Sequence, residues 1–98
     1  MNNISFIFPV YNEEKRVKNI LDFITWVKKN KIKKYEILLI SNGSRDNTVP
    51  LLKSYAKKIK QLKVYHINKA SRGSAIKIGI KKSNYDISSI VDDFIYGS

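Results

Sequence analysis

Four polar groups in this chain each follow a short apolar run. They are Tyr11-Asn12-Glu13, Ser41-Asn42-Gly43, Arg72 a few residues past Val64-Tyr65-His66-Ile67, and the adjacent carboxylates Asp92-Asp93. Each type has its own chemistry. An arginine can clamp a phosphate with two parallel hydrogen bonds. A pair of aspartates offers the oxygen ligands that a hard divalent ion prefers. The charge of the whole chain fits such partners: 19 Lys and Arg against 8 Asp and Glu give a formal +11. An excess of this kind suits a polyanion, whether nucleic acid, a nucleoside diphosphate or an anionic membrane face. Other chemistries are excluded. There is no cysteine, which removes disulfides, thiolate catalysis and Cys-based zinc sites, and His66 is the only histidine.

The elements that must position these groups can be read from hydrophobic spacing. Ile4-Ser5-Phe6-Ile7-Phe8 has the composition of a buried strand, and Pro9 is expected to end its ladder. From Glu13 to about Lys29, apolar residues at 17, 20, 21, 24 and 27 form one stripe of a helix. Asn12 is expected to cap that helix, with Glu13 and Glu14 at its positive end and Lys28 and Lys29 at its negative end. Trp26, Phe23 and His66 read as packing or structural residues, and the two glutamates are explained by the helix dipole without any ligand.

Tyr35 to Ile40 repeats the strand signature, and Ser41-Asn42-Gly43-Ser44 breaks it with turn residues. Leu52, Tyr55, Ala56 and Ile59 form the next helical stripe, with Thr48 as its expected cap and Pro50 tolerated in the first turn. Val64 to Ile67 reads as a third strand. Ala75 and Gly79 lie on a third helix that ends near Ser83, where small side chains let the helix sit close to the sheet. Asp86 to Asp93 reads as a fourth strand. Strands alternating with helices require parallel pairing through right-handed crossovers. The expected fold class is therefore α/β: a Rossmann-like three-layer α/β/α domain with a mostly parallel sheet. It occupies residues 1–98 without an internal boundary. In such a sheet the loops after the strands gather along one edge, where ligands bind.

In order and spacing these residues resemble the nucleotide-sugar half of family 2 glycosyltransferases of the GT-A fold, dolichyl-phosphate mannosyltransferase-like members included. Ile7-Phe8-Pro9-Val10-Tyr11-Asn12-Glu13-Glu14 is similar to that family's opening strand and PxYNE loop. Leu39-Ile40-Ser41-Asn42-Gly43-Ser44-Arg45-Asp46-Asn47-Thr48 resembles its second block, with Ser41 and Asn42 standing where two acidic residues are usual. Ser71-Arg72-Gly73-Ser74-Ala75 through Gly79 is similar to the Gly-Lys-Gly-x-Ala-x-x-x-Gly segment. Asp86 through Phe94 resembles the strand that ends in Asp-x-Asp, with Asp92 in register and Phe94 in place of the second carboxylate.

The resemblance implies a bound nucleotide-diphosphate sugar whose sugar passes to an acceptor hydroxyl. Pro9, Tyr11, Glu13 and Asn42 would contact base and ribose, and Arg72 the diphosphate. Asp92 and Asp93 would hold Mg²⁺ or Mn²⁺ as cofactor. It further implies that the acceptor half is absent, whether through truncation, degeneration of the gene or separate encoding in a partner chain that would supply it, and that the chain alone is incomplete as an enzyme. A lipid-linked acceptor or an anionic membrane surface is an expected partner. No apolar run approaches the ~20 residues that span a bilayer and no secretory signal is visible. The expected location is cytoplasmic, peripheral at the inner membrane face. Two other classes compete. A non-catalytic module would explain the neutral residues Ser41, Asn42 and Phe94. Nucleic-acid binding would explain the charge, but no recognition motif or aromatic-basic interleaving accompanies it, so no nucleic acid is expected as partner.

Overall fold

The computed structural model describes residues 3–68 and 71–91. Strand β1 runs Asn3–Val10, followed by a 3-10 turn at Val17–Asn19 and helix α1 at Ile20–Lys29. Then come β2 (Lys34–Asn42), α2 (Thr48–Lys58), β3 (Leu62–Ile67), α3 (Arg72–Lys82) and β4 (Ile87–Ile90). The sheet order is β3-β2-β1-β4 and every pairing is parallel. The expected α/β class and parallel sheet hold. Asp92 and Asp93 lie outside the described residues.

Alternation along the strands divides the core in two. On one face Phe6, Phe8, Ile37 and Leu39 pack with Phe23, Ile24 and Val27 of α1 and Leu52 of α2. On the other, Ile7, Leu38 and Ile40 pack with Ala75 and Ile78 of α3. Three layers result. The small residues on α3 have the expected purpose: a Cβ on Gly79 would stand 2.4 Å from Ile7 Cγ2, so the helix backbone lies directly on β1.

The expected bounds shift in several places, each for a physical reason. Pro9 does not end the ladder, since β1 pairs with β2 as far as Val10 opposite Ser41. Alternate residues of a parallel strand bond to opposite neighbours. The Ile7 carbonyl accepts from Val91 N–H on the β4 side, so the donor that Pro9 lacks is missing on that side and not from the β2 ladder. Helix α1 begins at Ile20 rather than Glu13, because Asn12 has φ 48° and turns the chain away from helical geometry. The apolar stripe rotates with it. Leu21 is 43% exposed, while Phe23 is buried and makes edge-to-face contacts with Phe6 and Phe8 at 5.0 and 4.9 Å. Strand β3 starts two residues before Val64, at Leu62, whose side chain closes the core beneath α2.

Candidate functional site

The loop after β1 and the loop after β2 are tied to each other, and the tie begins at Asn12. In its left-handed conformation the Asn12 side chain reaches across to the second loop. There Oδ1 accepts from Arg45 N–H at 2.9 Å and from Asp46 N–H at 3.4 Å. Asn12 N–H donates to Ser44 Oγ at 3.1 Å, and Glu13 N–H donates to Thr48 Oγ1 at 2.8 Å. Asn12 is thus not the cap of its own helix; it caps its neighbour's loop.

Nor is Thr48 the cap of α2. Its N–H and its hydroxyl both donate to Asp46 Oδ1, while Asp46 Oδ2 accepts from Glu14 N–H. Burial alone would raise the Asp46 carboxyl pKa, but the hydrogen bonds from Thr48 and Glu14 outweigh it and hold the group below the ordinary aspartate range. The spacing Asp46-x-Thr48 is therefore an Asx turn whose ionised carboxylate joins both loops. A small cleft of about 230 Å³ lies between them, bordered by Asn12, Glu13, Glu14 and Asp46.

The sequence-predicted binding residues occupy this rim in different ways. Pro9 is half-buried within β1, and Tyr11, just beyond it, is 52% exposed. Glu13 is half-buried, with Oε1 3.7 Å from Arg16 Nε. Tyr11 and Asn42 each follow the paired residues Val10 and Ser41 by one position. Alternation then places Pro9 and Asn42 on the same face as Ile7 and Ile40, the face covered by α3. Arg72 is the exposed first residue of α3, behind its N-cap Ser71, whose side chain accepts from Ser74 N–H at 3.2 Å. All five predicted nucleotide-site residues thus lie at the carboxyl edge of the sheet, Pro9 and Asn42 on the face covered by α3 and Tyr11, Glu13 and Arg72 in the segments that follow the strands. The metal pair, Asp92 and Asp93, lies outside the described residues, and no group of three His, Cys, Asp or Glu among the described residues could hold a metal ion.

Two features of the rim depend on burial and register and could not be read from the sequence. Asn42 is only 7% exposed, and its Oδ1 has no hydrogen-bond partner among the described residues. A buried amide oxygen left unmatched costs about 1–3 kcal/mol, so it marks a place where something else can bind. On the opposite face, Ser41 is fully buried and its Oγ lies 3.0 Å from His66 Nδ1. His66, read as a satisfied structural histidine within a strand, has this partner in β3, and its side chain is exposed.

This geometry has counterparts among known proteins. The model of the family described as glycosyl transferase family 2 matches residues 5–93. A Methanococcus voltae protein, dolichyl N-acetyl-alpha-D-glucosaminyl phosphate 3-beta-D-2,3-diacetamido-2,3-dideoxy-beta-D-glucuronosyltransferase, is 36% identical over 89 residues, which is 88% of this chain and 27% of that protein. A dolichyl-phosphate beta-glucosyltransferase of Dictyostelium discoideum is 37% identical over 87 residues, 79% of this chain and 26% of that one. A mannosyltransferase from Pyrobaculum calidifontis, solved in complex with GDP-Man and Mn²⁺, superposes with a TM-score of 0.79 at 20% identity, over 93% of this chain and 27% of that chain. The chain therefore spans about a quarter of the length of the curated relatives it matches, and its fold is the Rossmann-like α/β arrangement of GT-A enzymes. With the strand order, the loop motifs and the family model in agreement over nearly all of its length, the chain belongs to glycosyl transferase family 2.

Proposed function

We propose that the rim at the carboxyl edge of the sheet is the donor site of a sugar transferase and binds a nucleotide-diphosphate sugar. The observation that carries this reading is the unmatched Oδ1 of buried Asn42, on the same face as Pro9 and the N-terminal end of α3. A nucleobase edge bearing an N–H donor would satisfy that oxygen. Pro9 and Tyr11 offer an apolar and an aromatic surface to base and ribose, and Glu13 offers a carboxylate to the ribose hydroxyls. Arg72 has the bidentate donor geometry that a diphosphate takes. The locked loops supply pre-organisation, so little ordering is left to be done when the donor binds.

A divalent ion, such as the Mn²⁺ in the solved mannosyltransferase, would fall to Asp92 and Asp93, and would neutralise charge developing on the departing diphosphate. The reaction is attack of an acceptor hydroxyl on the anomeric carbon, with the nucleoside diphosphate leaving and Arg72 stabilising it electrostatically. The proposed acceptor is lipid-linked, because the similar proteins from Methanococcus and Dictyostelium carry dolichyl-linked names. In this reading the 98 residues are the donor half of a GT-A domain, and the acceptor half comes from elsewhere, in continuation or from a partner chain. The same reading places the chain in the cytoplasm, against the inner membrane face.

A second reading has its own observation. Ser41, at the place of a usual carboxylate, is satisfied by His66 and carries no charge at the strand end, as a non-catalytic module would tolerate. Isothermal titration with several nucleoside diphosphates, with and without Mn²⁺, separates the two. The donor site predicts saturable, metal-dependent heat for at least one of them, lost in Arg72→Ala. No heat with any of them leaves the module.

A further inference from the structure

We propose that the opposite, amino edge of the sheet carries a second anion site: a lysine-walled cleft that takes a compact ligand bearing two or more clustered phosphates. The cleft has a volume of about 510 Å³ and is lined by Lys33, Lys34, Lys60 and Lys63 together with Tyr35 and Tyr85. Lys34 opens β2, Lys63 is the second residue of β3, Lys60 precedes that strand and Tyr85 precedes β4, so all face away from the donor rim. A volume of this size suits a small ligand, not a duplex or a protein segment.

The charges in the cleft are not balanced. Its one carboxylate, Glu36, is 2% exposed and fully engaged. It accepts from Ser5 Oγ and Asn84 N–H, both at 2.6 Å, from Lys63 Nζ at 2.9 Å and from Asn84 Nδ2 at 3.0 Å. Glu36 therefore neutralises Lys63. Lys33, Lys34 and Lys60 form an ion pair with no acidic side chain among the described residues. Like charges gathered in one concavity repel, and an anion relieves that repulsion.

Helix ends do not account for this cluster. The helices run against the strands, so Lys28, Lys29, Lys57, Lys58, Lys81 and Lys82 also reach the amino edge, and there they complement the helix dipoles. Lys33 and Lys34 belong to no helix. Tyr35 also lines the cleft, so its hydroxyl adds a neutral hydrogen-bond donor to the lysines there.

The inference does not rest on the donor reading, and its test keeps the two apart. Isothermal titration of the Arg72→Ala protein, whose donor rim lacks its phosphate clamp, with inorganic tripolyphosphate at low salt is expected to give saturable binding of one equivalent. Adding K33Q/K34Q/K60Q should weaken it by about tenfold or more, and Tyr35→Phe by a smaller factor of roughly three. A second equivalent that appears only with Arg72 present belongs to the donor rim. The three lysines are exposed and Tyr35→Phe removes a single oxygen, so both variants keep the fold, and circular dichroism melting checks this. A second arm identifies the source. Retention on vesicles containing phosphatidylinositol 4-phosphate, lost in the triple variant, assigns a lipid headgroup; tripolyphosphate binding without such retention assigns a soluble phosphate compound. Absence of binding in both arms, heat that fails to saturate at one equivalent, or binding that survives the triple variant or disappears in Arg72→Ala would overturn the proposal.

Discussion

Asn12 Oδ1 accepts the backbone N–H of Arg45 at 2.9 Å, a bond that joins residues 33 positions apart and fastens the first loop of the rim to the second. Asn12 also sits at φ 48°, a conformation that asparagine tolerates better than residues with an aliphatic Cβ. Asn12→Ala removes both bonds from Oδ1 and adds backbone strain. Urea unfolding should show a loss of about 1–3 kcal/mol. Asn12→Asp keeps the acceptor and the left-handed preference and should lose less than half of that. Equal losses in the two variants would mean that the bond to Arg45 carries no energy.

The contact of α3 with β1 gives a second prediction. In an exposed helix, replacing glycine by alanine gains up to about 1 kcal/mol. At Gly79 the new Cβ meets Ile7 Cγ2 at 2.4 Å, so Gly79→Ala should instead cost about 1–3 kcal/mol. The sign of the change decides. Ile7→Ala should be less costly in the Gly79→Ala background than in the native protein, because it removes the clashing branch, and a double-mutant cycle reads that coupling directly.

Glu36 sets an acid limb of stability. Burial pushes its carboxyl pKa up, but hydrogen bonds from Asn84 N–H, Ser5, Lys63 and the Asn84 side chain outweigh burial and bring it from an ordinary 4.5 to about 2. A carboxylate depressed in the folded state stabilises the fold where it is ionised. Its contribution is complete above about pH 4.5 and drains away as pH falls toward 2. Thermal melts of the native protein should therefore fall across that window. Glu36→Gln should be less stable at pH 7 and should approach the native protein as pH drops to 2. Parallel curves would show that the Glu36 network does not stabilise the fold.

Asn42 separates binding from stability. Its unmatched Oδ1 costs the fold free energy, so Asn42→Ala trades lost packing against relief of that cost and should change stability by less than about 1 kcal/mol. Affinity for the preferred nucleoside diphosphate should fall by roughly fivefold or more. A large loss of stability with no change in affinity would make Asn42 a structural residue.

Much of this architecture was visible in residue spacing, because the buried strands and the small residues on α3 are dictated by what can lie against a sheet. Ile37 to Ile40 read as a strand buried on both faces and are one, and Gly79 lies where a Cβ would meet Ile7. What spacing could not reveal is how polar side chains are spent. Asn12 before two glutamates looks like a helix cap, yet its amide serves a loop 33 residues away, and α1 starts late in consequence. Leu21 leaves the buried stripe for the same reason, since a delayed start rotates the apolar face, while Phe23 packs as its type suggested. At the site, the loop motifs located Pro9, Tyr11, Glu13, Asn42 and Arg72 along one edge, but the empty valence at Asn42 Oδ1 and the Ser41–His66 pair depend on strand register and burial.

The most direct test of the central claim is to map amide chemical shifts in the isotopically labelled protein as a nucleoside diphosphate and diamagnetic Mg²⁺ are added. The donor reading predicts saturable, metal-dependent shifts at residues 10–13, 41–44 and 71–74. Shifts confined to the amino edge, or none at saturating nucleotide, would contradict it.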